Sequence, residues 1–364
     1  MIIIVIISIC LLLYGVAEHY SHRKNIDKVP LRILVNGTRG KTTVTRIIAY
    51  SLQENGIKTV ARTSGSSLEI IHSDGRVEKI ERKRNARILE MIPFFRTAVK
   101  EEAEAVVIEC MALQEENQKT IADTLVRPTI VVMTNTFIDH VPEMGKTIEE
   151  TSWVLSRSVP QNAFLYTTED YYKDYGFRTI KVDEESAPQL SSIPIHPSSW
   201  AIAKKVLVDL GVREETIISA IKKIPPDIGL LKEIRGKNNS ILIPSFSVND
   251  KECMAKTFKE EMERHSDMKS VVVFNNRKDR EYRIKLLREA ICEIEEERRP
   301  LILIIGDYKG KVSFYFNRRN INAFPSSVEE LVNKMKEERN TLFIGIGNIK
   351  GDGEKLIAAC MEEN

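Results

Sequence analysis

Three kinds of hydrophobic pattern follow one another along this chain. Residues 2–17, IIIVIISICLLLYGVA, are almost unbroken hydrocarbon, relieved only by Ser8, Tyr14 and Gly15. As a helix this stretch spans about 24 Å, a little under the apolar thickness of a bilayer. Glu18, His19, Ser21, His22, Arg23, Lys24 and Lys28 follow at once, as at a headgroup boundary. A cleaved signal peptide is disfavoured, since neither a basic n-region nor a small-x-small cleavage site is evident. The pattern predicts a single-span anchor over residues 1–24. Its basic residues lie after the span and none before it, which predicts an outer N-terminus and a cytosolic body.

The second pattern is the short apolar run, 4–8 residues long, that marks a strand buried on both faces. Residues 31–36 (LRILVN), 58–62, 105–109 (AVVIE) and 129–133 fit it. Val44, Ile47, Ile48 and Leu52 recur at helical spacing after the first run, and Asn55-Gly56 ends that helix. Two more helices are predicted around Leu210-Gly211, one carrying Ile202, Val206 and Leu210, the other Ile217, Ile218 and Ile221. Pro225-Pro226-Asp227 and the stretch 236–239 (GKNN) then punctuate the chain. Beyond them, runs at 241–243, 271–274, 301–305 and 341–346 alternate with helical stretches that carry Ile284, Leu287, Ala290, Ile291 and Ile294, and Val328, Leu331, Val332 and Met335. The expectation is an α/β protein. It has a central domain with a parallel-rich sheet over 25–235 and a smaller Rossmann-like domain over 236–364.

Composition narrows the class. Of 364 residues, 54 are Lys or Arg and 52 are Asp or Glu, a formal net charge of +2. No basic excess exists to neutralise a nucleic-acid backbone. Residues 79–87 (KIERKRNAR) form a short basic stretch without aromatics, read as solvated surface or as an arm meeting a polyanion. The apolar content of 42% suffices for sizeable cores. Five widely separated cysteines include no CxxC pair, which argues against a disulfide framework or thiolate zinc and fits a reducing compartment. His19 and His22 have no third metal ligand nearby in sequence.

The candidate chemistry begins between the first strand and its helix. Residues 37–43 read GTRGKTT. A glycine-rich loop that opens a helix is a phosphate cradle, because main-chain N–H groups and the helix N-terminus face the anion. Asn36, Gly37, Thr38, Arg39, Gly40, Lys41, Thr42 and Thr43 are therefore expected to hold a nucleotide, with Lys41 on the β- and γ-phosphates and Thr42 on Mg²⁺. The full GxxxxGK[ST] pattern is absent, since Val35 stands where its first glycine would be. Two later strands also end in polar residues: the first on Glu109, the second in TNTFIDH with Asn135 and His140. Parallel α/β sheets gather ligands at these strand ends.

The ordered set GTRGKT, IECMA and TNTFIDH resembles the Mur ligase superfamily, ATP-dependent ligases that join an amino acid to a carboxylate through an acyl phosphate. More narrowly, ILVNGTRGKTTVTR, VIECMAL with Gln118 shortly after, and TNTFIDHVPEMG resemble the ligase subunit of poly-γ-glutamate synthases, the CapB/PgsB type. The resemblance runs from the anchor to the C-terminus and is clearest between Arg32 and Glu150. It implies a Mur-ligase-like fold, and Glu109 and His140 as magnesium ligands beside Thr42. It also implies Asn135 at the nucleotide, and Thr63 and Ser64 near the acceptor substrate. By the same resemblance Asn249 and Arg277 or Arg280 act from the C-terminal domain on adenosine and phosphates. Lys41, Glu109, His140, Arg277 and Arg280 would then be the catalytic set, with ATP and Mg²⁺ as cofactors. Ser245 stands near where Mur ligases usually carry an Asp, and no lysine declares itself for carbamylation. The glycine-rich stretch 345–353 lacks GxGxxG spacing and is given no chemistry. No nucleotide-sugar domain separates Gly37 from the anchor, which disfavours the UDP-muramyl branch. The expected function is ATP-dependent polymerisation of glutamate at the membrane, with a growing poly-γ-glutamate chain and small membrane subunits as partners. A folylpolyglutamate-synthase-like ligase and a non-catalytic ATP-binding export subunit remain the alternatives.

Overall fold

A computed structural model describes residues 2–362 except 66–67, 81–85, 187–194, 225–232, 237, 247 and 249–250. The chain separates into two compact units, the first reaching Ile224 and the second running from Pro225 to the C-terminus. The sequence reading carries the central domain to Arg235. In the structure Ile234 and Arg235 already pair with Leu242 and Ile241 in the second sheet.

The first unit is built on an eight-stranded sheet. Its strands are β1 (Leu31–Asn36), β2 (Thr59–Arg62), β3 (Glu69–Ile71), β4 (Val77–Lys79), β5 (Ala105–Glu109), β6 (Ile130–Met133), β7 (Phe164–Thr167) and β8 (Arg178–Lys181). They lie in the order β4-β3-β2-β5-β1-β6-β7-β8, parallel except for the antiparallel hairpin β3–β4 at one edge. Ile33, Leu34 and Val35 are buried in succession, as helices covering both faces of a parallel sheet require. The helices Pro197–Asp209 and Glu214–Lys223 pack beside Lys41–Glu54, and Lys223 Nζ reaches Glu54 Oε2 at 2.6 Å.

The N-terminal helix extends beyond the expected anchor. It runs without a break over Ile2–Asp27, and its apolar portion is exposed, long and hydrophobic enough to cross a membrane. Its last turns, however, are part of the first unit's core. Ile26 is fully buried among Phe94, Phe95 and Val126. His22 Nε2 lies 3.0 Å from the Leu125 carbonyl oxygen, and its ring meets Phe95 edge-on at 5.5 Å. Glu18 pairs with Arg96 at 3.1 Å and Asp27 with Arg127 at 3.3 Å. His22 is thus a packing residue held against the protein rather than half of a metal pair.

The second unit has six strands, β9 (Ile234–Arg235), β10 (Ile241–Ile243), β11 (Lys269–Asn276), β12 (Leu301–Gly306), β13 (Ala323–Pro325) and β14 (Thr341–Gly347). Their order is β13-β12-β11-β14-β10-β9, parallel apart from β9. The four expected strands are its centre. The two further strands are short edge pieces, two and three residues long, too brief to show a period in sequence.

Candidate nucleotide and metal site

Strand register brings the site together. β1 lies between β5 and β6, with Val35 opposite Glu109 and Asn36 opposite Met133. Asn36, Glu109 and Thr134 therefore leave the sheet at the same level, at the carboxyl ends of three adjacent parallel strands.

The loop between β1 and the helix Lys41–Glu54 is held from behind by Thr134 and Asn135. Asn135 Oδ1 accepts from Thr38 Oγ1 at 2.7 Å and from the Arg39 amide at 2.8 Å, while its Nδ2 donates to the Arg39 carbonyl at 3.1 Å. Thr134 Oγ1 donates to the Arg39 carbonyl at 2.6 Å. Two glycines are obligatory here. Gly37 sits at φ 124°, where a Cβ would lie 2.2 Å from Thr134 Oγ1 and 2.9 Å from the Asn135 carbonyl. Gly40 sits at φ 75°, with Ser199 Oγ 2.8 Å from where its Cβ would be. The amides of Gly37, Thr38 and Arg39 are consumed by Asn36 Oδ1, the Asn135 carbonyl and Asn135 Oδ1. Among the described residues, the amides of Gly40, Lys41, Thr42 and Thr43 have no acceptor. Unpaired amides at the first turn of a fourteen-residue helix form an anion site by geometry and dipole together.

Beside them stands a carboxylate. Glu109 is 2% exposed, and its Oε2 accepts from Thr42 Oγ1 at 3.0 Å and from the Ser64 amide at 2.9 Å. No hydrogen bond reaches its Oε1 from the described residues. A Cβ on Gly65 would fall 2.5 Å from Thr42 Oγ1 and 3.3 Å from Glu109 Oε1, so the absence of a side chain keeps this corner open. Hydroxyl and carboxylate oxygens are the donors that Mg²⁺ or Mn²⁺ takes, and the chain's own residues fit such an ion at Thr42 and Glu109. Lys41 Nζ rests on the Gly37 carbonyl at 2.6 Å, within the loop it would leave for a phosphate.

The expected residues are not gathered equally. His140 lies on the loop after β6, in left-handed conformation at φ 49°, ahead of the short helix Val141–Met144. Its amide donates to Asp139 Oδ1 at 2.9 Å, and Asp139 lies 3.9 Å from Arg39. Among the described residues no three His, Cys, Asp or Glu side chains form a metal cage. Thr42 and Glu109 are in direct contact, and His140 follows β6, the strand on the other side of β1 from β5. Thr63 is fully buried and its Oγ1 accepts from the Glu69 amide at 3.2 Å, so it pins the turn that delivers Ser64 to Glu109. Cys110, next to Glu109, is buried and its thiol is pushed up to about 11 by desolvation, which leaves it unreactive.

In the second unit, Arg277 forms a fork on Asp279 at 3.0 and 2.8 Å, and Arg280 closes the same single turn. Asn249 lies outside the described residues. The residue that sequence reasoning passes over here is Arg283. It is buried, and donates to the Gly347 carbonyl at 2.7 Å and to Asn348 Oδ1 at 2.6 Å. Asn275 Nδ2 donates to the carbonyls of Asn348 and Lys350, which ties the glycine-rich stretch after β14 to the end of β11. In the first unit the unforeseen contributor is Ser158, whose Oγ accepts from Asn36 Nδ2 at 2.8 Å and which no motif singles out, while Thr134 opens the TNTFIDH stretch without having been given a role.

Comparison with known proteins agrees with this geometry. The Mur ligase middle domain family matches residues 35–187, and the poly-gamma-glutamate synthase CapB C-terminal domain family matches 231–363. The capsule biosynthesis protein CapB of Bacillus anthracis is 29% identical over 99% of this chain and 83% of its own length. The PGA synthase CapB of Bacillus subtilis is 28% identical, over 98% and 96%. Among solved structures, a bifunctional folylpolyglutamate synthase/dihydrofolate synthase of Yersinia pestis, complexed with AMPPNP and a Mn ion, superposes with TM-score 0.66 at 12% identity. It covers 95% of this chain and 92% of that one. MurF of Acinetobacter baumannii gives TM-score 0.62 at 14% identity, over 95% and 79%. At such identities the structural likeness establishes the fold. The chain thus has the fold of the Mur and folylpolyglutamate ligases, and carries a region that matches the Mur ligase middle domain followed by one that matches the poly-gamma-glutamate synthase CapB C-terminal domain.

Proposed function

We propose that this chain is an ATP-dependent ligase that extends poly-γ-glutamate through an acyl phosphate. The observation that carries the reading is the open corner at the helix N-terminus. Among the described residues, four unpaired amides, Lys41, the Thr42 hydroxyl and the buried Glu109 carboxylate face one place, whose corner Gly65 keeps clear. The named relatives, capsule and PGA synthases, supply the monomer class. A carboxylate does not condense with an amine at neutral pH, because oxide is too poor a leaving group. In the proposed sequence an oxygen of the growing chain's carboxylate attacks the γ-phosphorus of ATP and ADP leaves. The amino group of glutamate then attacks the acyl carbon, loses a proton, and phosphate departs. The helix amides and Lys41 bear the phosphate charge while it is transferred. A divalent cation on Thr42 and Glu109 supplies further charge neutralisation when bound. His140, Arg277 and Arg280 are proposed to join this set, with Thr63 and Ser64 beside the acceptor. The helix Ile2–Asp27 is proposed to anchor the chain in the cell membrane with both units cytoplasmic, where small membrane subunits could take the product.

The test uses the full-length chain in detergent with Mg-ATP and a panel of amino acids, Lys41→Ala serving as control. Glutamate-dependent ADP release, absent from the control, is expected and identifies the monomer. AMP as the nucleotide product would overturn the acyl phosphate. Should neither nucleotide appear, even in membranes carrying the partner subunits, the chain would be an ATP-binding assembly subunit instead.

A further inference from the structure

The phosphate loop is fixed from beneath by a polar knot in which every orientation is forced. Asn36 is 1% exposed, and its Oδ1 accepts the Gly37 amide at 2.8 Å. Its Nδ2 must therefore face the other way, where it donates to Gln118 Oε1 at 2.6 Å and to Ser158 Oγ at 2.8 Å. Ser158 spends its own hydrogen on the Leu155 carbonyl at 2.8 Å, so only its lone pair is left for Asn36. Gln118, fully buried and 82 positions away from Asn36, then has one choice, to present its oxygen. That choice leaves Gln118 Nε2 enclosed without a hydrogen-bond partner among the described residues. A buried donor left unpaired is unfavourable, and its persistence indicates that the orientation of Asn36 matters more. The Gly37 peptide that Asn36 orients also carries, on its carbonyl, the Lys41 ammonium at 2.6 Å.

We propose that Gln118 is a positioning residue for the phosphate loop, setting nucleotide affinity through Asn36 and the Gly37 peptide. The inference rests on the reading of this loop as an ATP site. Gln118 acts on the nucleotide without touching it, by holding Asn36 in the one orientation that fixes the first peptide of the loop and the resting place of Lys41.

MgATP binding to the full-length protein in detergent, followed by isothermal titration calorimetry, tests it together with thermal unfolding. Gln118→Leu removes the acceptor and strands one hydrogen of Asn36, and is expected to weaken MgATP binding about tenfold. Gln118→Glu keeps an oxygen towards Asn36 in either protonation state and is expected to restore affinity to within about threefold. Leu125→Ala, a core truncation outside the knot, is expected to lower the melting temperature with affinity unchanged. A second variant keeps the result readable. Gln118→Met fills nearly the same volume without an oxygen to accept from Asn36, and is expected to weaken MgATP binding in the same direction as Gln118→Leu. Wild-type affinity in a folded Gln118→Leu protein would overturn the proposal. So would wild-type affinity in Gln118→Met, which remains readable if the leucine variant does not fold. Absence of MgATP binding by the wild type would instead overturn the ATP reading, and the proposal with it.

Discussion

The two units end their parallel sheets in opposite ways. At the carboxyl ends of β5, β1 and β6, polar groups on the back of the loop are satisfied while those on its front, the amides of residues 40–43, are left without acceptors. At the ends of β11, β12 and β14, the polar groups turn on one another, although Asn276 Oδ1 finds no partner among the described residues. Arg283 takes the Gly347 carbonyl, Asn275 takes the carbonyls of Asn348 and Lys350, and Asn276 Nδ2 takes the Asp307 carbonyl at 2.7 Å. The glycines differ in the same sense. Gly65 clears space beside the Thr42 hydroxyl and the Glu109 carboxylate, whereas a Cβ on Gly306 would strike the Asn276 carbonyl at 2.2 Å and one on Gly347 the Asn275 carbonyl at 2.6 Å, a close backbone approach that Gly37 shares at the back of the first loop. One topology thus yields an open anion site in the first unit and a closed polar clasp in the second. What covers the strand ends decides which.

The largest effect that would test this contrast is expected at Gly37. Gly37→Val puts a branched side chain at φ 124° against Thr134 and Asn135. Displacing the loop by about an ångström should reduce nucleotide turnover about a hundredfold, measured as ADP release. Unchanged turnover would mean that the loop is not the site. Arg283→Met comes next, and bears on the closed end. It strips the donor from two buried acceptors and is expected to cost about 2–4 kcal/mol of stability, read by chemical denaturation, with MgATP affinity intact. Loss of affinity at unchanged stability would make the clasp a binding site after all.

A third prediction concerns the junction of helix and first unit. Ile26→Ala should destabilise that unit by about 2–3 kcal/mol, because Ile26 is fully buried against Phe94 and Phe95. Deleting residues 2–17 should leave its unfolding midpoint in detergent within about one degree, since their side chains are exposed and touch no core. A tether that was merely flexible would give no effect for either change.

The smallest effect is a pH dependence at the β3–β4 edge. His72 lies between Glu101, 2.6 Å away, and Glu78, 3.0 Å away. Burial alone would raise the Glu101 carboxyl, but the hydrogen bonds from the Ser73 amide, His72 and the Ser73 hydroxyl outweigh it and hold the group below its ordinary value of 4.5. A depressed carboxyl contributes stability that is complete above its unfolded value and is lost as pH falls through the folded one. Acid unfolding below about pH 4.5 should therefore be blunted in Glu101→Gln by under about 1 kcal/mol. An identical acid limb in the variant would show that Glu101 carries none of that dependence.

Local pattern and spacing determined a good deal of this molecule. Apolar runs with polar ends located β1, β5, β6 and the four central strands of the second unit. The motifs then marked Lys41, Thr42, Glu109 and Asn135, because a phosphate loop is contiguous and its partners sit at strand ends. Tertiary structure alone decided the rest. Strand order placed Glu109 beside Thr42 across 67 positions, and Gln118 beneath Asn36 across 82. The burial of His22 and Ile26 followed from Phe95 and Leu125 folding over a helix whose sequence reads as a membrane anchor with a charged rim. Arg283 looks in sequence like one more charge in a basic stretch, and its role exists only where Gly347 and Asn348 turn their oxygens inward. Periodicity records which face of an element is covered. Which distant group covers it depends on pairing between strands, and no local pattern encodes that pairing.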